Sequence, residues 1–430
     1  MSGAVAAHAA YNGSGTQGLA VTNKIHDDDG DVMSVFWNKN DTTRQLLYGS
    51  SIIEIPAGGG SGTNAVGTSS NVIFDVNNDI DCLGDLILKI VYTRTDGNPA
   101  NGAAVDNQRL ATAISRVEVL VGTQIWQTFE HADLMALAAT ELSSGSFADY
   151  SFQTSGGVDQ YNQFVNGRLS TGTRTSCTAF IPLKMFTKTL TPMLENFAEQ
   201  TESGYLMGAA PHQQVKIKVY TDGTNFNTNT VPGTGTLSLN LYAKNQVMCN
   251  EEREQMKAMP MGLPKRIKMT QNSSKSVVGT PDNLDLDLDH FSLYGSHIII
   301  SVPAVGSAGI EVLNKSTVEL LLNSSSFSGK LPLGLLKMTG PSMGLFTNEY
   351  GATGGVGETG TYVFPLASRA YGGSSVPLNR FDNIRLKIHW GAYDTSSSTL
   401  FDGGGGRVNI TCVGETTALY KGGAASLAMY

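Results

Sequence analysis

The sequence is short of charge, and most of the charge it carries is acidic. Only 15% of its 430 residues are Asp, Glu, Lys or Arg, and the formal net charge is −8 at neutral pH. Proteins that bind nucleic acid through its phosphates usually have a basic face or basic runs. The densest basic cluster, Lys265-Arg266-Ile267-Lys268, is short. We interpret it as a solvated strand edge or linker and expect no direct contact with nucleic acid.

Cysteine is also scarce. The four cysteines are Cys82, Cys177, Cys249 and Cys412, and they are far apart with no C-x-x-C pair. Cys412 alternates with apolar neighbours, as a small buried hydrophobic residue does. The spacing therefore predicts four free thiols in a protein made in a reducing compartment.

Long hydrophobic runs are missing as well. A membrane-spanning helix needs about 20 consecutive apolar residues, and no run approaches that length. The first ten residues lack both a basic flank and an apolar run. The sequence therefore predicts neither a membrane span nor a secretion signal.

Glycine and small polar residues are abundant instead. The chain has 49 glycines and is 40% hydrophobic, a composition typical of many short strands joined by polar loops around packed cores. Single cores stop growing at about 250–300 residues, so a chain of this length predicts two domains.

The pattern is clearest between Ser115 and Leu142. Val117, Val119 and Val121 follow the two-residue period of a strand, Gly122 can turn the chain, and Gln124 can begin a second strand. From Leu134 the spacing becomes helical. This stretch predicts a hairpin followed by one short helix inside an otherwise all-β chain.

Alternation recurs on both sides of a break. Asn250 can cap a short helix that Pro260 and Pro264 end, and this segment separates two sets of about eight predicted strands. The predicted fold is all-β, with two tandem eight-stranded antiparallel jelly rolls and a few short helices. The predicted divisions are an N-terminal arm at 1–30, jelly roll 1 at 31–248, a linker helix at 249–266, jelly roll 2 at 267–418 and a C-terminal arm at 419–430.

Motifs that could carry chemistry are better explained without it. Gly340-Pro341-Ser342-Met343-Gly344 matches G-x-S-x-G, but a nucleophile elbow needs a strand before the serine and a helix after it, and we predict a surface turn. The acidic run at 26–31 lacks the ligand spacing of a calcium loop. Asp285, Asp287 and Asp289 fit the wet side of an edge strand.

The histidines show no H-x-x-x-H or H-x-H spacing, and we place His212 and His389 on sheet faces. The sequence therefore predicts no catalytic, cofactor-binding or metal site, no cofactor and no enzymatic activity.

Several segments, in the same order along the chain, resemble the major capsid proteins of nucleocytoplasmic large DNA viruses, the double jelly-roll capsid family. The segments that carry this resemblance are Val117-Glu118-Val119 through Gly122-Thr123-Gln124, Phe36-Trp37, Pro211 to Ile217, Glu252-Arg253, Tyr362 to Leu366, Asn379 to Asn383 and Gly422 to Ala425.

The resemblance implies a structural protein that assembles into an icosahedral shell. It implies a homotrimer in which six jelly rolls form a pseudo-hexagonal capsomer that contacts neighbouring capsomers and minor capsid and penton proteins. It also implies a place in the virion of a double-stranded DNA virus that is assembled in the host cytoplasm, where the shell could lie near an inner viral membrane. We expect loops 143–175 and 337–361 to form towers or contacts between neighbours. We also expect the apolar residues of the short helix, Leu134, Met135, Leu137 and Leu142, to need cover from the partner sandwich and from other chains.

A second class of protein fits the same fold. Jelly rolls also occur in carbohydrate-binding and receptor-binding attachment proteins, so the fold does not decide the function. Exposed aromatic residues such as Trp126 or those at 150–161 could stack on sugars. This alternative therefore depends on which aromatic side chains face solvent.

Overall fold

The computed structural model describes most of the predicted strands and leaves several connecting segments undescribed. The described residues are 25–26, 32–33, 48–58, 63–65, 70–76, 80–94, 114–141, 176–183, 205–221, 235–248, 263–278, 283–303, 313–343, 345, 359–367, 375–391, 405–421 and 423–428. All statements below concern these residues.

The first half of the chain forms two antiparallel sheets that share one core. Its elements are β1 (Ile25–His26), β2 (Val32–Met33), β3 (Tyr48–Ile55), β4 (Thr63–Ala65), β5 (Ser70–Asp75), β6 (Cys82–Arg94), β7 (Ile114–Val121), β8 (Gln124–Glu130), helix α1 (His131–Glu141), β9 (Ser176–Leu183), β10 (Tyr205–Leu206), β11 (Val215–Thr221) and β12 (Gly235–Met248). Sheet 1A has the order β10-β6-β12-β3, with β9 beside β6 and β4 beside β12, and sheet 1B has the order β5-β11-β7-β8. The pair β1–β2 stands apart. Sheets 1A and 1B form the first sandwich.

The second half repeats this plan. Its elements are β13 (Leu263–Val278), β14 (Asn283–Asp287), β15 (Tyr294–Pro303), β16 (Thr317–Leu322), β17 (Ser325–Ser326), β18 (Leu331–Pro332), helix α2 (Leu333–Ser342), β19 (Thr359–Pro365), β20 (Val376–Pro377), β21 (Ile384–His389), β22 (Gly405–Lys421) and β23 (Ala424–Ala428). Sheet 2A has the order β13-β22-β15-β19, with β20 beside β15 and β23 beside β22, and sheet 2B has the order β14-β21-β16-β17, with β18 beside β16. Sheets 2A and 2B form the second sandwich.

The two sandwiches match strand for strand. In sheet 1B, β5 pairs with β11 and β11 pairs with β7, which forms a hairpin with β8. In sheet 2B, β14 pairs with β21 and β21 pairs with β16, which forms a hairpin with β17. Each hairpin turns through positive φ, at Gly122 in one and at Asn323 and Ser324 in the other, and a helix follows each. One 3₁₀ turn follows β10, and another follows β20. The predicted fold, two tandem eight-stranded antiparallel jelly rolls with a few short helices, is confirmed: each main sheet path has four strands, and short strands are added beside them.

Alternation along the strands produces the cores. In β11, Val215, Ile217 and Val219 are fully buried, whereas Lys216 and Lys218 are half-exposed on the outer face. The sheet therefore buries one face and wets the other, as its two-residue period predicts.

The part of sheet 2A that meets the first sandwich is buried on both faces. Ile298 and Ile300 of β15 join the core of the second sandwich, while Ile299 between them joins the core of the first. This explains why 297–302 is apolar without alternation: strands covered on both sides are continuous hydrophobic runs.

The ends of the predicted divisions differ from the structure. The last four residues of the linker predicted at 249–266 are already strand, because β13 begins at Leu263, and 249–262 lie outside the described residues. The predicted C-terminal arm at 419–430 is folded as far as Ala428: β22 runs to Lys421, and β23 pairs with it. Ala425 is buried, so small residues here pack closely instead of forming an arm. In the N-terminal arm at 1–30, only Ile25–His26 is described, as a strand paired with Val32–Met33.

Candidate functional site: the junction between the sandwiches

Helix α1 lies between the two sandwiches. It follows β8 directly and contacts β7, β8 and β9 on one side and β15, β19 and β22 on the other. Leu134, Met135 and Leu137 are each no more than 3% exposed. The expected cover from the partner sandwich of the same chain is confirmed. The expectation that other chains must also cover these three residues is wrong, because they are already buried within the chain. Leu142 lies outside the described residues.

A buried carboxylate holds this helix against the second sandwich. Asp133 is 2% exposed, and one of its oxygens accepts hydrogen bonds from the Glu130 backbone N–H at 2.9 Å and from Asn272 Nδ2 at 2.5 Å. The other accepts from Thr411 Oγ1 at 2.8 Å. Burial raises the pKa of Asp133, and these hydrogen bonds oppose the shift. Desolvation of the carboxylate is thus partly offset by three donors, two of which belong to the other sandwich.

A buried amide makes a second polar link. Gln127 Oε1 accepts from the Thr270 backbone N–H at 3.0 Å, and its Nε2 donates to the Thr270 carbonyl at 2.9 Å and to its hydroxyl at 2.5 Å. Because β13 ends the main path of sheet 2A, Thr270 uses its outer backbone edge for these bonds. Gln127 therefore satisfies buried edge groups that would otherwise be costly.

The C-terminal strands form the third link. The Leu206 N–H donates to Tyr420 Oη at 3.1 Å, and the Ala425 N–H donates to Gln213 Oε1 at 2.7 Å. The His212 N–H donates to the Gly423 carbonyl at 3.1 Å. These bonds tie β22 and β23 to the segment before β11.

Three aromatic rings close this end of the junction. Tyr205 makes an edge-to-face contact with Trp126 and a tilted contact with Tyr420, each with 5.5 Å between ring centroids. Burial raises the pKa of both tyrosines, so their hydroxyls stay protonated. Trp126 is only 5% exposed. It therefore cannot stack on a sugar, and the aromatic segment at 150–161 lies outside the described residues.

A lysine and a histidine are buried on the same side of sheet 2A. Lys268 is 1% exposed and His297 is fully buried. The interpretation of the basic run as solvated is therefore wrong at Lys268, because the junction covers β13. Burial and the nearby Lys268 charge lower the pKa of His297 to about 3, so its ring is neutral at ordinary pH. Ser296 Oγ donates to the Val413 carbonyl at 3.0 Å and lies 2.8 Å from His297 Nδ1, which assigns the ring proton to Nδ1.

An open cleft of about 440 Å³ lies at the rim of the junction. It is lined by Ser115, Arg116, Glu130, His131, Ala132, Tyr220, Arg407 and Asn409. Arg116 lies 3.0 Å from Glu118 and 4.3 Å from the Tyr220 ring, and Arg407 donates to Ser274. The guanidinium groups are therefore already engaged within the chain, and the cleft is a consequence of the junction.

The residues weighed for chemistry are placed apart and have structural roles. Ser342 ends α2, where its hydroxyl donates to the Thr339 carbonyl at 2.7 Å, so Gly340-Pro341-Ser342 is helical and not the predicted surface turn. Asp285 lies near Arg385 and Lys387, at 3.7 and 4.0 Å. Among the described residues, no group of three or more His, Cys, Asp or Glu is arranged to hold a metal ion.

The two remaining acids accept backbone hydrogen bonds. Asp287 accepts from the Asp289 backbone N–H, and Asp289 accepts from the Ile384 backbone N–H. His389 lies in β21, as expected, but His212 lies in the turn before β11 and not on a sheet face.

Cys82 and Cys412 are buried thiols that form no disulfide, as predicted, and burial raises the pKa of Cys412 to about 12. The same prediction for Cys177 and Cys249 stays a prediction. Within the described part of the chain, no helix has the length and apolar character needed to cross a bilayer.

Of the two loops expected to form towers, 143–175 lies outside the described residues. The other, 337–361, begins in α2 and ends in β19. The junction roles of Asp133, Gln127 and Gln213 could not be predicted from the sequence, because a polar residue that bonds a distant strand has no local periodicity.

The fold has close counterparts among solved viral structures. A chain of the PBCV-1 virus capsid superposes with a TM-score of 0.62 at 14% identity, over 90% of this chain and 98% of that one. The Faustovirus major capsid protein gives 0.53 at 8% identity, over 90% and 92%. A chain of the Sulfolobus Turreted Icosahedral Virus gives 0.50 at 7% identity, over 85% and 90%.

No protein-family model matches the sequence, and no curated protein is similar to it. At these identities the likeness establishes the fold. The chain has the double jelly-roll fold of viral major capsid proteins, as its sequence segments indicate, and its similar structures are virion capsid proteins.

Proposed function

We propose that this chain is the major capsid subunit of an icosahedral double-stranded DNA virus. The observation that carries the proposal is the junction: two equivalent sandwiches are fixed side by side by buried polar bonds and a shared apolar core. A shell needs repeated rigid units, and this chain supplies two of them in a fixed relation. The capsid proteins with the same fold support this function.

The proposed assembly is a homotrimer. Three chains carry six similar sandwiches, and a cyclic arrangement closes their contacts into a ring with a pseudo-hexagonal outline. Such capsomers would contact neighbouring capsomers and minor capsid and penton proteins within the virion. Assembly would take place in the host cytoplasm, and no chemical step is required of the subunit.

The test is the mass and shape of the purified protein. Light scattering coupled to size exclusion at low micromolar concentration should give three times 45.6 kDa, and negative-stain images should show six-lobed rings. A monomer under non-denaturing conditions would contradict the proposal.

The alternative is a tandem β-sandwich protein that binds carbohydrate or a receptor. The buried position of Trp126 removes one of the two features that favoured it. Binding on a glycan array by a protein that stays monomeric would support this alternative.

A further inference from the structure

The open cleft at the rim of the junction is lined by both sandwiches. Ser115 and Arg116 of β7 and Tyr220 of β11 belong to the first sandwich, and Arg407 and Asn409 of β22 belong to the second. Its volume of about 440 Å³ lies within the range of about 300–1,000 Å³ that is usual for small-molecule sites. A ligand held in this cleft would therefore contact both sandwiches at once.

Two arginine side chains of the cleft are held in place by partners within the chain. Arg116 lies 3.0 Å from Glu118 and against the ring of Tyr220, whose hydroxyl donates to the same carboxylate at 3.0 Å. Arg407 donates from Nε and from one terminal nitrogen to a neutral group, the Ser274 hydroxyl. Each guanidinium has five N–H donors, so these contacts orient it and leave donors for a ligand.

The charged groups at the cleft leave one positive charge in excess. Three cations and two carboxylates line it or lie beside it: Arg116, Lys218, Arg407, Glu118 and Glu130. The carboxylate of Asp133, the third residue of α1, is not part of the lining, and three hydrogen-bond donors stabilise its charge within the chain. Among the described residues, no carboxylate lies within ion-pair distance of Arg407. The excess matches a ligand with a single negative charge.

The rest of the lining has groups that bind hydroxyls. The side chains of Ser115 and Asn409 can both donate and accept hydrogen bonds, and Glu130 can accept them. Glu130 would also repel a second negative charge placed beside Arg116, its cross-strand partner. A ligand with one anionic group and several hydroxyls therefore fits this cleft better than a polyanion does.

A carboxylate matches the single charge better than a phosphate does. A carboxylate carries one negative charge at neutral pH, whereas a phosphate monoester carries about 1.5 to 2. The two oxygens of a carboxylate also fit the planar fork of a guanidinium through two parallel hydrogen bonds. The anionic group expected in this cleft is therefore a carboxylate.

We infer that this cleft binds a sugar acid, which has one carboxylate and several hydroxyls. The carboxylate bonds Arg407 and Arg116. The hydroxyls bond the side chains of Ser115, Asn409 and Glu130. The sugar acid is either a free molecule or the terminal unit of a glycan, because both present the same carboxylate. The inference goes beyond the proposed capsid function, since neither the shell nor the trimer requires such a ligand.

The experiment is calorimetric titration of the purified full chain with acidic and neutral sugars. The acidic ligands are N-acetylneuraminic acid, glucuronic acid and a trisaccharide in which N-acetylneuraminic acid is joined to lactose, and lactose alone is the neutral control. At least one acidic ligand should bind at millimolar concentration or below, and lactose should not bind. Binding of a free acid would identify a small-molecule ligand, and binding of the trisaccharide alone would identify the end of a glycan.

Substitution of Arg407 tests how the carboxylate is bound. Arg407→Gln should increase the dissociation constant of the acidic sugar by at least about tenfold, because hydrogen bonds to charged groups contribute more than neutral ones. Arg407→Lys should increase it less, since the charge remains without the planar fork. The matched control is Arg385→Gln, which removes another exposed arginine, on β21 outside the cleft, and should bind as the wild type does.

Thermal unfolding of each variant verifies that it is folded. If Arg407→Gln does not fold, Asn409→Asp carries the same prediction, because it places a second carboxylate beside that of the ligand.

Three results would overturn the inferred site: binding of lactose as strong as that of the acids, no binding of any acid at millimolar concentration, or unchanged binding by a folded Arg407→Gln or Asn409→Asp protein. None of them changes the mass of the oligomer, so light scattering tests the trimer and the capsid function separately. A monomeric wild type that binds the acid would contradict the capsid proposal and support the cleft site.

Discussion

Sheets 1A and 2A have the same strand order and opposite surroundings. On sheet 2A the outward Ile299 and Val363 are fully buried against the first sandwich, whereas on sheet 1A the outward Ile87 and Lys89 of β6 are half-exposed. The outward face of sheet 1A is largely polar, with Lys89 on β6 and Asn240 and Lys244 on β12, whereas β15 of sheet 2A is apolar on both faces at Ile298, Ile299 and Ile300. The comparison teaches that strand order alone does not decide whether a sheet face is buried: apolar outward residues such as Ile299 lose no hydrogen bonds on desolvation, whereas lysine and asparagine side chains do.

The largest expected effect comes from placing a charge on the buried outer face. Ile299→Asp should destabilise the protein by about 4 kcal/mol or more, or prevent folding, because the carboxylate would be buried between the sandwiches without a partner. Ile125→Asp, at an exposed site, should change the free energy of unfolding by no more than about 0.5 kcal/mol. Urea denaturation followed by tryptophan fluorescence measures both. Equal effects would mean that the outer face of sheet 2A is not a core.

Two glycine substitutions test how much the C-terminal strands stabilise the junction. Gly423 has φ +78°, and a Cβ there would lie 2.4 Å from His212 Cδ2, at the contact between the sandwiches. Gly329 has φ +70° with no atom within 4 Å of the added carbon. Gly423→Ala should therefore cost about 2–3 kcal/mol, against about 1 kcal/mol for Gly329→Ala, which carries only the backbone strain.

Thermal unfolding of the two glycine variants provides the measurement. A similar loss of stability in both would show that β22 and β23 contribute little to the junction.

The hydrogen bonds between Gln127 and Thr270 test how much polar contacts stabilise the junction. Gln127→Ala should cost about 1–3 kcal/mol, since it leaves the buried N–H and C=O of Thr270 without these hydrogen bonds. The control is Gln271→Ala, whose amide bonds Ser292 at an exposed site and should cost less than about 1 kcal/mol. Chemical denaturation compares them, and the interpretation fails if the exposed amide matters more.

The sequence predicted the fold well and the junction poorly, for physical reasons. Strands such as β11 and the hairpin with α1 have periods that depend on local geometry, so Val215, Val117 and Leu134 could be placed in a core from the sequence alone. The bonds of Gln127 and Asp133 join residues more than a hundred positions apart. Such pairing depends on the tertiary fold. For the same reason Lys268 could not be recognised as buried, because its cover comes from the other sandwich.

The smallest effect concerns the pH dependence of the junction. Burial raises the pKa of Asp133 above its ordinary value of 3.8, so the folded protein binds this proton more tightly than the unfolded chain does. Between the two pKa values the folded state holds more protons, and stability therefore falls as pH rises through that window. Other carboxylates also titrate in this pH range. The informative quantity is therefore the free energy of unfolding of the wild type minus that of Asp133→Asn, which has no carboxyl proton at this position.

This difference should decrease with rising pH from about 4 until Asp133 is ionised in the folded state, and it should be constant at higher pH. Denaturation series across this range measure it. An increase with pH would mean that the donors from Asn272 and Thr411 outweigh burial and hold the carboxylate ionised.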